Sequence, residues 1–252
     1  MKASCLVALA LVLAARAARA DDTSGPAYQL QAEVDVPVIA IATLATGAWF
    51  LDDLGPAWCA PRCDPSQLDA LDRPFAGRYV PAWTTAGTIT AVALLAAPPI
   101  ILLATEGSRH AANDTIVLAE AVLCASGLGA VAQTAVRRPR PFLYGTAAPL
   151  SDREDTNASF SFFSGHTALS FAATVGTWRT LERLHAGRWR YLVLGVGLAG
   201  SAFVGVSRVV SGDHFPTDVI AGAGIGASLG ALVPALHRHG VHVTPTGVVV
   251  VF

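Results

Sequence analysis

Charged residues are scarce in this chain. Asp, Glu, Lys and Arg together make up 14% of its 252 residues, and the formal net charge at neutral pH is −1. A chain so close to neutrality lacks the basic excess that nucleic-acid binding requires, so we expect no nucleic-acid partner. Apolar residues make up 53% of the chain, and the mean hydropathy of +0.50 indicates a membrane protein rather than a soluble domain.

Cysteine is also rare, with four in the chain. Cys5 lies in the N-terminal leader and Cys124 lies within an apolar segment, so we expect both to be inert. Cys59 and Cys63 lie close together in a loop with Pro61 between them, which predicts a disulfide in an oxidising compartment. No histidine lies nearby in the sequence, which argues against a metal site in this loop.

Six apolar segments approach the roughly 20 residues that a helix needs to cross a bilayer. They cover residues 34–51, 81–105, 115–136, 163–181, 191–210 and 215–236. We therefore predict an all-α protein, a six-helix transmembrane bundle that forms a single domain over residues 21–252; a soluble bundle of buried helices is the alternative. The first and fourth segments fit less well because they are short or carry polar residues. Gly222, Gly226 and Gly230 form a stripe in the last segment that indicates close helix packing.

The first 20 residues are a separate unit. Lys2 precedes a short apolar core, and residues 18–20 resemble a signal-peptidase site. This pattern predicts a secretory signal peptide. An uncleaved leader is the alternative, because Arg16 and Arg19 are unusual so close to a cleavage site. Both interpretations indicate export in a bacterium.

Three polar clusters lie at the ends of the apolar segments, where charged residues are costly unless they serve a site. They are residues 133–141 after the third segment, 159–167 before the fourth, and 207–218 between the fifth and sixth. In a six-span topology, the ends of odd-numbered helices and the starts of even-numbered ones lie on one side of the membrane. We therefore expect the three clusters to converge.

The residue types in these clusters suit displacement at phosphorus. Arg140 and Arg208 can bind phosphate oxygens bidentately, and a helix N-terminus attracts the same anion. His214 and Asp218 are four residues apart, which would place them on one helix face and let the carboxylate bind one ring nitrogen. The other ring nitrogen would then be a free nucleophile or base, and in such a site one histidine can attack phosphorus while a second protonates the leaving alcohol.

Together the three clusters resemble the signature of the type-2 phosphatidic acid phosphatase and vanadium haloperoxidase superfamily, which reads Lys-x6-Arg-Pro, Pro-Ser-Gly-His and Ser-Arg-x5-His-x3-Asp. The third block matches at every specified position: Ser207, Arg208, His214 and Asp218. The second block has Phe163 in place of Pro, and the first has Gln133 in place of Lys. The resemblance covers roughly residues 121–236.

The resemblance implies a role for each matching residue. His214 would be the nucleophile that forms a phosphohistidine, Asp218 would orient it, and His166 would be the general acid and later the base. The phosphoryl oxygens would be bound by Arg140, Arg208, Ser164, Gly165 and Gln133. No metal or other cofactor is implied. Because the Gln133 amide carries no charge, we expect reduced or altered activity unless the guanidinium of Arg137, one turn further on, or of the nearby Arg138 substitutes for the missing lysine.

The function that the resemblance implies is hydrolysis of a lipid phosphate or polyprenyl diphosphate by an integral membrane phosphatase. A lipid phosphotransferase with the same site is an alternative. A catalytically weakened lipid-binding or scaffold protein is another, because of Gln133. A haloperoxidase is less expected, since those relatives are soluble. The sequence contains no pattern that predicts the lipid or the oligomeric state.

We expect a multi-pass protein of the bacterial inner membrane with its site facing the periplasm. Arginines outside the clusters are more frequent on the side opposite the site, as expected for a cytoplasmic side. That side holds Arg109, Arg179, Arg183, Arg188, Arg190 and Arg238, and the site side holds Arg62, Arg73, Arg78 and Arg153. The Cys59–Cys63 pair on the site side favours the same orientation, whereas a cleaved leader would favour the opposite one.

Several polar residues fall outside this assignment. Glu120 lies in the middle of the third segment and is either functional or a polar packing contact. Arg138 is interpreted as a charge at the membrane surface. The histidines at 237, 239 and 242 are interpreted as an exposed tail rather than a metal site, and a short strand is expected after residue 240.

Overall fold

A computed structural model describes residues 25–50, 54–238, 241–244 and 247–250. The predicted leader lies outside the described residues, so it and the limits of the domain stay predictions. The described part contains six long helices: α1 Ala32–Thr46, α2 Pro81–Glu106, α3 Ser108–Val136, α4 Gly165–Arg183, α5 Trp189–Ser211 and α6 Pro216–Leu236. The prediction of an all-α bundle with six long helices is confirmed.

Shorter elements fill the connections between the long helices. They are the 3-10 helices Gly47–Phe50, Pro65–Gln67, Arg73–Phe75, Pro141–Tyr144 and Thr156–Ser159, and the short α-helix Leu150–Glu154. After α6 the strands β1 (Val241–Thr244) and β2 (Gly247–Val250) form an antiparallel hairpin in which Val241 pairs with Val250. The strand expected after residue 240 is therefore present, as one half of a hairpin.

Within the described residues, five helical ranges are long and apolar enough to cross a membrane. They are Ala32–Phe50, Pro81–Glu106, His110–Tyr144, Trp189–Ser211 and Pro216–Leu236. The predicted fourth span, which became α4, is not among them. Its polar residues lower its mean hydropathy, and they are tolerated because the helix is surrounded by other helices of the bundle.

Helix α4 occupies the centre of the bundle, where it packs against α2, α3, α5 and α6. Its hydroxyl residues are buried against these neighbours: Thr167, Ser170, Thr174, Thr177 and Thr180. The Thr174 hydroxyl lies 3.0 Å from that of Ser201 on α5, and the hydroxyls of Thr177 and Thr180 donate to carbonyls one turn back. Because its polar groups are satisfied internally, this helix is buried without being strongly apolar.

The glycine stripe of α6 lies directly against the backbone of α4. A Cβ atom at Gly222, Gly226 or Gly230 would come within 2.6 Å of a backbone carbonyl oxygen of α4 or of Ser164, the residue before it. The prediction that this stripe serves close helix packing is confirmed. The contact fixes the start of α6 against the start of α4, where two of the three polar clusters lie.

The outer faces of the helices are apolar and exposed, as expected for surfaces that contact lipid. Large exposed side chains on these faces include Val36, Ile41, Leu44, Ile89, Val92, Leu103, Leu192, Val206, Ile220 and Leu232. Helix α1 is the least enclosed of the spans, since 11% of its apolar window is buried.

The loop before α2 covers the end of the bundle that carries the polar clusters. The predicted disulfide between Cys59 and Cys63 is formed, and the Cys63 N–H donates to the Leu143 carbonyl at 2.9 Å. A small apolar core beneath it includes Phe142 and Phe215. This loop therefore packs directly onto the segments that hold the candidate site.

Candidate active site

The connection between α5 and α6 is a sharp turn that places two polar side chains inside the protein. Helix α5 ends at Ser211. The next residue, Gly212, has a left-handed conformation (φ 86°) and lies against the Arg78 carbonyl, so no side chain fits there. The backbone N–H groups of Asp213 and His214 both turn back to the Arg208 carbonyl at 3.1 Å. Helix α6 then begins at Pro216, a residue suited to the first helical position.

Two arginines converge on the Asp213 carboxylate. Arg208 donates to it at 3.1 Å, and Arg140 donates from the other side at 3.4 Å. The hydroxyls of Thr84 and Ser211 also donate to it, both at 2.8 Å. The structure therefore brings the predicted phosphate-binding arginines together around an internal anion that sequence reasoning missed.

The two guanidiniums are not fully occupied by these contacts. Arg208 also donates to the Thr88 hydroxyl at 2.6 Å, and Arg140 donates to the Asn157 side-chain oxygen. Among the described residues, the Nε group of each arginine is buried and has no hydrogen-bond partner. Two buried donors without partners are costly unless a further acceptor binds there, and a phosphoryl oxygen is such an acceptor.

Asp213 remains ionised between the arginines. Burial alone would raise the pKa of its carboxyl, but the charge of Arg140 and the hydrogen bonds from Thr84 and Ser211 outweigh that effect and lower the pKa to about 2. The carboxylate offsets part of the positive charge of the pair in the absence of substrate.

The ring of His214 is buried and is oriented by a backbone carbonyl. Its Nδ1 lies 2.6 Å from the Ser161 carbonyl oxygen, which can only accept a hydrogen bond, so Nδ1 carries the proton and Nε2 has the free lone pair. Burial and the charge of Arg140 hold the pKa of His214 well below its usual range. The ring is therefore neutral at physiological pH, as a nucleophile must be.

The direct bond between Asp218 and His214 that the sequence predicts is not present. The distance from His214 Nδ1 to Asp218 Oδ2 is 4.0 Å. That oxygen instead accepts the Ser161 hydroxyl at 2.6 Å and the Phe215 N–H at 2.9 Å. Asp218 therefore fixes the Ser161 segment and caps α6, and it reaches His214 through Ser161.

A buried ion-pair network stands behind Asp218. Arg138 donates to Asp218 and to Asp72, each at 2.6 Å, and both carboxylates are fully buried. The Arg138 guanidinium also lies over the Phe215 ring, 4.6 Å from its centre. Arg138 is thus an internal ion-pair partner, and its interpretation as a membrane-surface charge is wrong.

The start of α4 supplies the next part of the site. Ser164 is the residue before the helix, its N–H donates to the Asp218 carbonyl at 3.1 Å, and its hydroxyl lies 2.9 Å from that of Thr167. Gly165 is the first residue of the helix, where backbone N–H groups and the helix dipole favour an anion. His166 follows on this first turn, within electrostatic range of the arginine pair and Asp213.

Gln133 makes two hydrogen bonds next to the start of α4. Its side-chain nitrogen donates to the Phe163 carbonyl at 2.7 Å, and its oxygen accepts the Trp49 indole N–H at 2.7 Å. The side chain is buried, and these two contacts occupy both ends of the amide. Gln133 therefore holds the segment that precedes Ser164, and because the amide nitrogen keeps a second N–H, its role as a phosphate ligand stays a prediction.

Arg137 does not replace the family's lysine. It caps α3 in a left-handed conformation, and its guanidinium donates to the carbonyls of Leu54, Gly55 and Pro56.

The residues that sequence reasoning missed are Asp213, Asp72, Ser161 and Asn157. Asp213 and Ser161 lie within the quoted motifs and were available as candidates, whereas Asp72 lies in a loop without any local pattern.

The chain is similar to one protein family and to two phosphatases. The family profile of the PAP2 superfamily matches residues 114–240. A stretch of 83 residues, 32% of the chain, is 40% identical to a lipid A 1-phosphatase of Porphyromonas gingivalis, and the match spans 17% of that protein's length. A solved transmembrane PAP2-type phosphatidylglycerolphosphate phosphatase from Bacillus subtilis aligns with a TM-score of 0.45 and 19% identity, over 94% of this chain and 96% of that one.

Proposed function

Because the chain belongs to the PAP2 superfamily, we propose that it is an integral membrane phosphatase that hydrolyses a lipid phosphate or polyprenyl diphosphate through a phosphohistidine. One observation carries this proposal: Arg140 and Arg208 flank Asp213, each with a buried Nε donor that has no partner among the described residues. His214 follows Asp213 in the chain, and the lone pair of its Nε2 is free to attack phosphorus. The name of the lipid A 1-phosphatase relative makes lipid A 1-phosphate one substrate to test.

In the first step, His214 Nε2 attacks phosphorus and the bond from phosphorus to the leaving oxygen breaks. Arg140, Arg208 and the N-terminus of α4 bind the equatorial oxygens, on which charge accumulates in the transition state. His166, protonated when the phosphate dianion binds beside it, donates this proton to the leaving alcohol or phosphate and becomes neutral. The Ser161 carbonyl stabilises the Nδ1–H that becomes more acidic as the nitrogen–phosphorus bond forms.

In the second step, water replaces the histidine. His166, now deprotonated, takes a proton from the water, the oxygen attacks phosphorus, and the nitrogen–phosphorus bond breaks. Inorganic phosphate leaves and both rings return to their starting states. We propose that no metal takes part, because the two guanidiniums and the helix dipole supply the positive charge that the transition state requires.

The lipid tail is proposed to lie in an apolar groove between α3 and α6. The groove is lined by Leu128, Ile220, Ala221, Gly224 and Ile225. Its first residues lie within one turn of Asp218, so a tail in the groove would keep the head group at the end of the bundle that carries the site. This arrangement supports a substrate that enters sideways from the bilayer.

We propose that the site faces the periplasm of a bacterial inner membrane. The Cys59–Cys63 disulfide, which packs on the site side, supports an oxidising compartment. An impermeant thiol reagent applied to intact cells should label these cysteines after treatment with an impermeant reductant, and not before. Labelling that requires lysis would place the site in the cytoplasm instead.

The function is tested by phosphate release from lipids in detergent. The panel contains phosphatidate, phosphatidylglycerol phosphate, undecaprenyl diphosphate and lipid A. Replacement of the nucleophile in His214→Ala should lower release by roughly a thousandfold or more, while His185→Ala, in the exposed turn after α4, should not. Transfer to an added alcohol in place of release would indicate a phosphotransferase. No turnover of any substrate would support a scaffold.

A further inference from the structure

Three ionisable residues meet inside the bundle at the end opposite the candidate active site. Asp35 lies in the first turn of α1, Glu120 lies in α3, and His237 follows the last residue of α6. All three are buried, with at most 5% of their surface exposed. At 1.5 Å per residue, α6 separates His237 from Asp218 by about 28 Å, so this cluster is distinct from the phosphatase site.

The three side chains point at one another. His237 Nε2 lies 2.9 Å from Asp35 Oδ1 and 3.1 Å from Glu120 Oε2. One possible ligand atom from each residue lies within 4.8 Å of the other two. The interpretation of His237 as part of an exposed tail is therefore wrong, and Glu120 belongs to a defined cluster of side chains.

The proton positions leave this cluster incomplete. His237 Nδ1 lies 2.8 Å from the Val233 carbonyl oxygen, which can only accept, so Nδ1 carries a proton. In a neutral ring, the Nε2 lone pair would then face two carboxylates. In a charged ring, the single Nε2–H would be the only donor for two carboxylates, and the cluster would keep a net charge of −1. Among the described residues, Glu120 Oε2 is buried and accepts no hydrogen bond.

We propose that Asp35, Glu120 and His237 bind a divalent transition-metal cation, with Zn²⁺ as the best match. A neutral imidazole and two carboxylates balance its charge and are ligand types that zinc accepts. Zinc–ligand distances of about 2.0–2.2 Å separate tetrahedral ligands by roughly 3.4 Å. The histidine–carboxylate separations of 2.9 and 3.1 Å would have to lengthen slightly, and the two carboxylate oxygens, which lie within 4.8 Å of each other, would have to come to about the same spacing.

The surroundings of the ligands resemble those of known zinc sites. A metal-binding histidine usually donates its second N–H to a carbonyl or carboxylate, and His237 donates its own to Val233. Asp35 is oriented in the same way, because its second oxygen accepts the Gln31 N–H at 2.6 Å. Three protein ligands leave a fourth position for water.

The proposed metal would join three helices that are far apart in the sequence. Helix α1 gains most, because little of its surface is buried against the rest of the bundle. The site would therefore be structural, holding α1 and the end of α6 against α3. This inference does not depend on the proposed phosphatase activity.

The test uses the full-length protein, purified in detergent without a histidine tag and stripped with a chelator. Binding is measured by titration with Zn²⁺ alone, by the metal content after dialysis, and by the visible spectrum with Co²⁺. We expect about one ion per chain and a tetrahedral cobalt spectrum. Glu120→Gln keeps the shape of the side chain and should weaken binding at least tenfold, as should Asp35→Asn.

Two controls separate this site from accidental binding. The double variant His239→Gln/His242→Gln removes the neighbouring histidines and should bind Zn²⁺ as tightly as the wild type. Zn²⁺ should also raise the thermal unfolding temperature of the wild type but not of Glu120→Gln. Equal binding by Glu120→Gln and wild type, loss of binding in the double variant, or no binding at micromolar Zn²⁺ would each overturn the proposal.

Discussion

Gln133 offers a direct test of the local structure, because its two hydrogen bonds predict how substitutions at this position change stability and activity. In Gln133→Ala, the buried Phe163 carbonyl loses its donor, and an unsatisfied buried carbonyl costs about 1–3 kcal/mol. The Trp49 N–H also loses its acceptor, but Trp49 is half-buried and water can replace part of that bond. We expect a loss of stability of about 1–3 kcal/mol.

The same variant should lower activity, because Phe163 directly precedes Ser164 and the start of α4. A displacement of about 1 Å in a catalytic group can cost roughly a hundredfold in rate. We therefore expect kcat for Gln133→Ala to fall by about 10-fold to 100-fold. Gln67→Ala, at an exposed position, is the control and should change neither quantity.

Gln133→Lys gives the decisive comparison. A lysine can donate to the Phe163 carbonyl but cannot accept from Trp49, and its charge would be buried without a carboxylate partner. We expect activity at or below that of the wild type, measured as phosphate release in detergent, together with reduced stability. A large gain in activity would mean that position 133 reaches the phosphate, and would refute the role assigned to Gln133.

Three further predictions concern packing, access and pH. Gly226→Ala should lower the unfolding temperature more than Gly224→Ala, because only the former meets the α4 backbone; equal effects would contradict the packing. Gly224→Leu should raise KM for long-chain lipids more than for short-chain lipids, because Gly224 lines the proposed tail groove. Gly195→Leu is the control, because its side chain also projects into open space but Gly195 is not among the residues that line the groove. Because burial and Arg140 lower the pKa of His214, this ring takes up a proton only on unfolding. Stability should therefore fall as the pH drops below about 6.5, and His214→Gln should reduce that dependence.

The sequence alone was sufficient for the general architecture and for the convergence of Arg140, Arg208 and His214 near Asp213, while the roles of these residues stay predictions. Apolar segments predicted the helices, and the glycine stripe predicted the contact of α6 with α4. The arginines and histidines of the three motifs were found because helix topology brings them to one end of the bundle. Helix α4 was the exception as a membrane span. Its buried hydroxyl groups lower its hydropathy but are satisfied by carbonyls one turn back and by Ser201.

The predicted contact of His214 with Asp218 was wrong for a local reason. A spacing of four residues places side chains on one face only within a helix, but α6 begins at Pro216. His214 therefore precedes the helix, and Asp218 occupies the third helical position, where its carboxylate caps the Phe215 N–H. The helix-start signals of proline and aspartate in this motif were sufficient to predict that outcome.

The other contacts that the sequence did not predict are polar pairs between residues far apart in the chain. Asp72 pairs with Arg138 across 66 positions, and His237 meets Asp35 across 202. Such pairs leave no periodic pattern, and each partner alone looks like a surface charge or a tail residue. They are determined by how the loops and helix ends pack, which becomes visible only in three dimensions.

The central claim is that His214 accepts the phosphoryl group from the lipid and passes it to water. The direct measurement is rapid quenching of the enzyme with a phosphorus-labelled lipid phosphate, followed by mapping of acid-labile, alkali-stable label to a peptide. We expect label on His214 in the wild type, more of it in His166→Ala when the leaving group needs no proton, and none in His214→Ala. Turnover without any label on His214, or wild-type turnover by His214→Ala, would contradict the account.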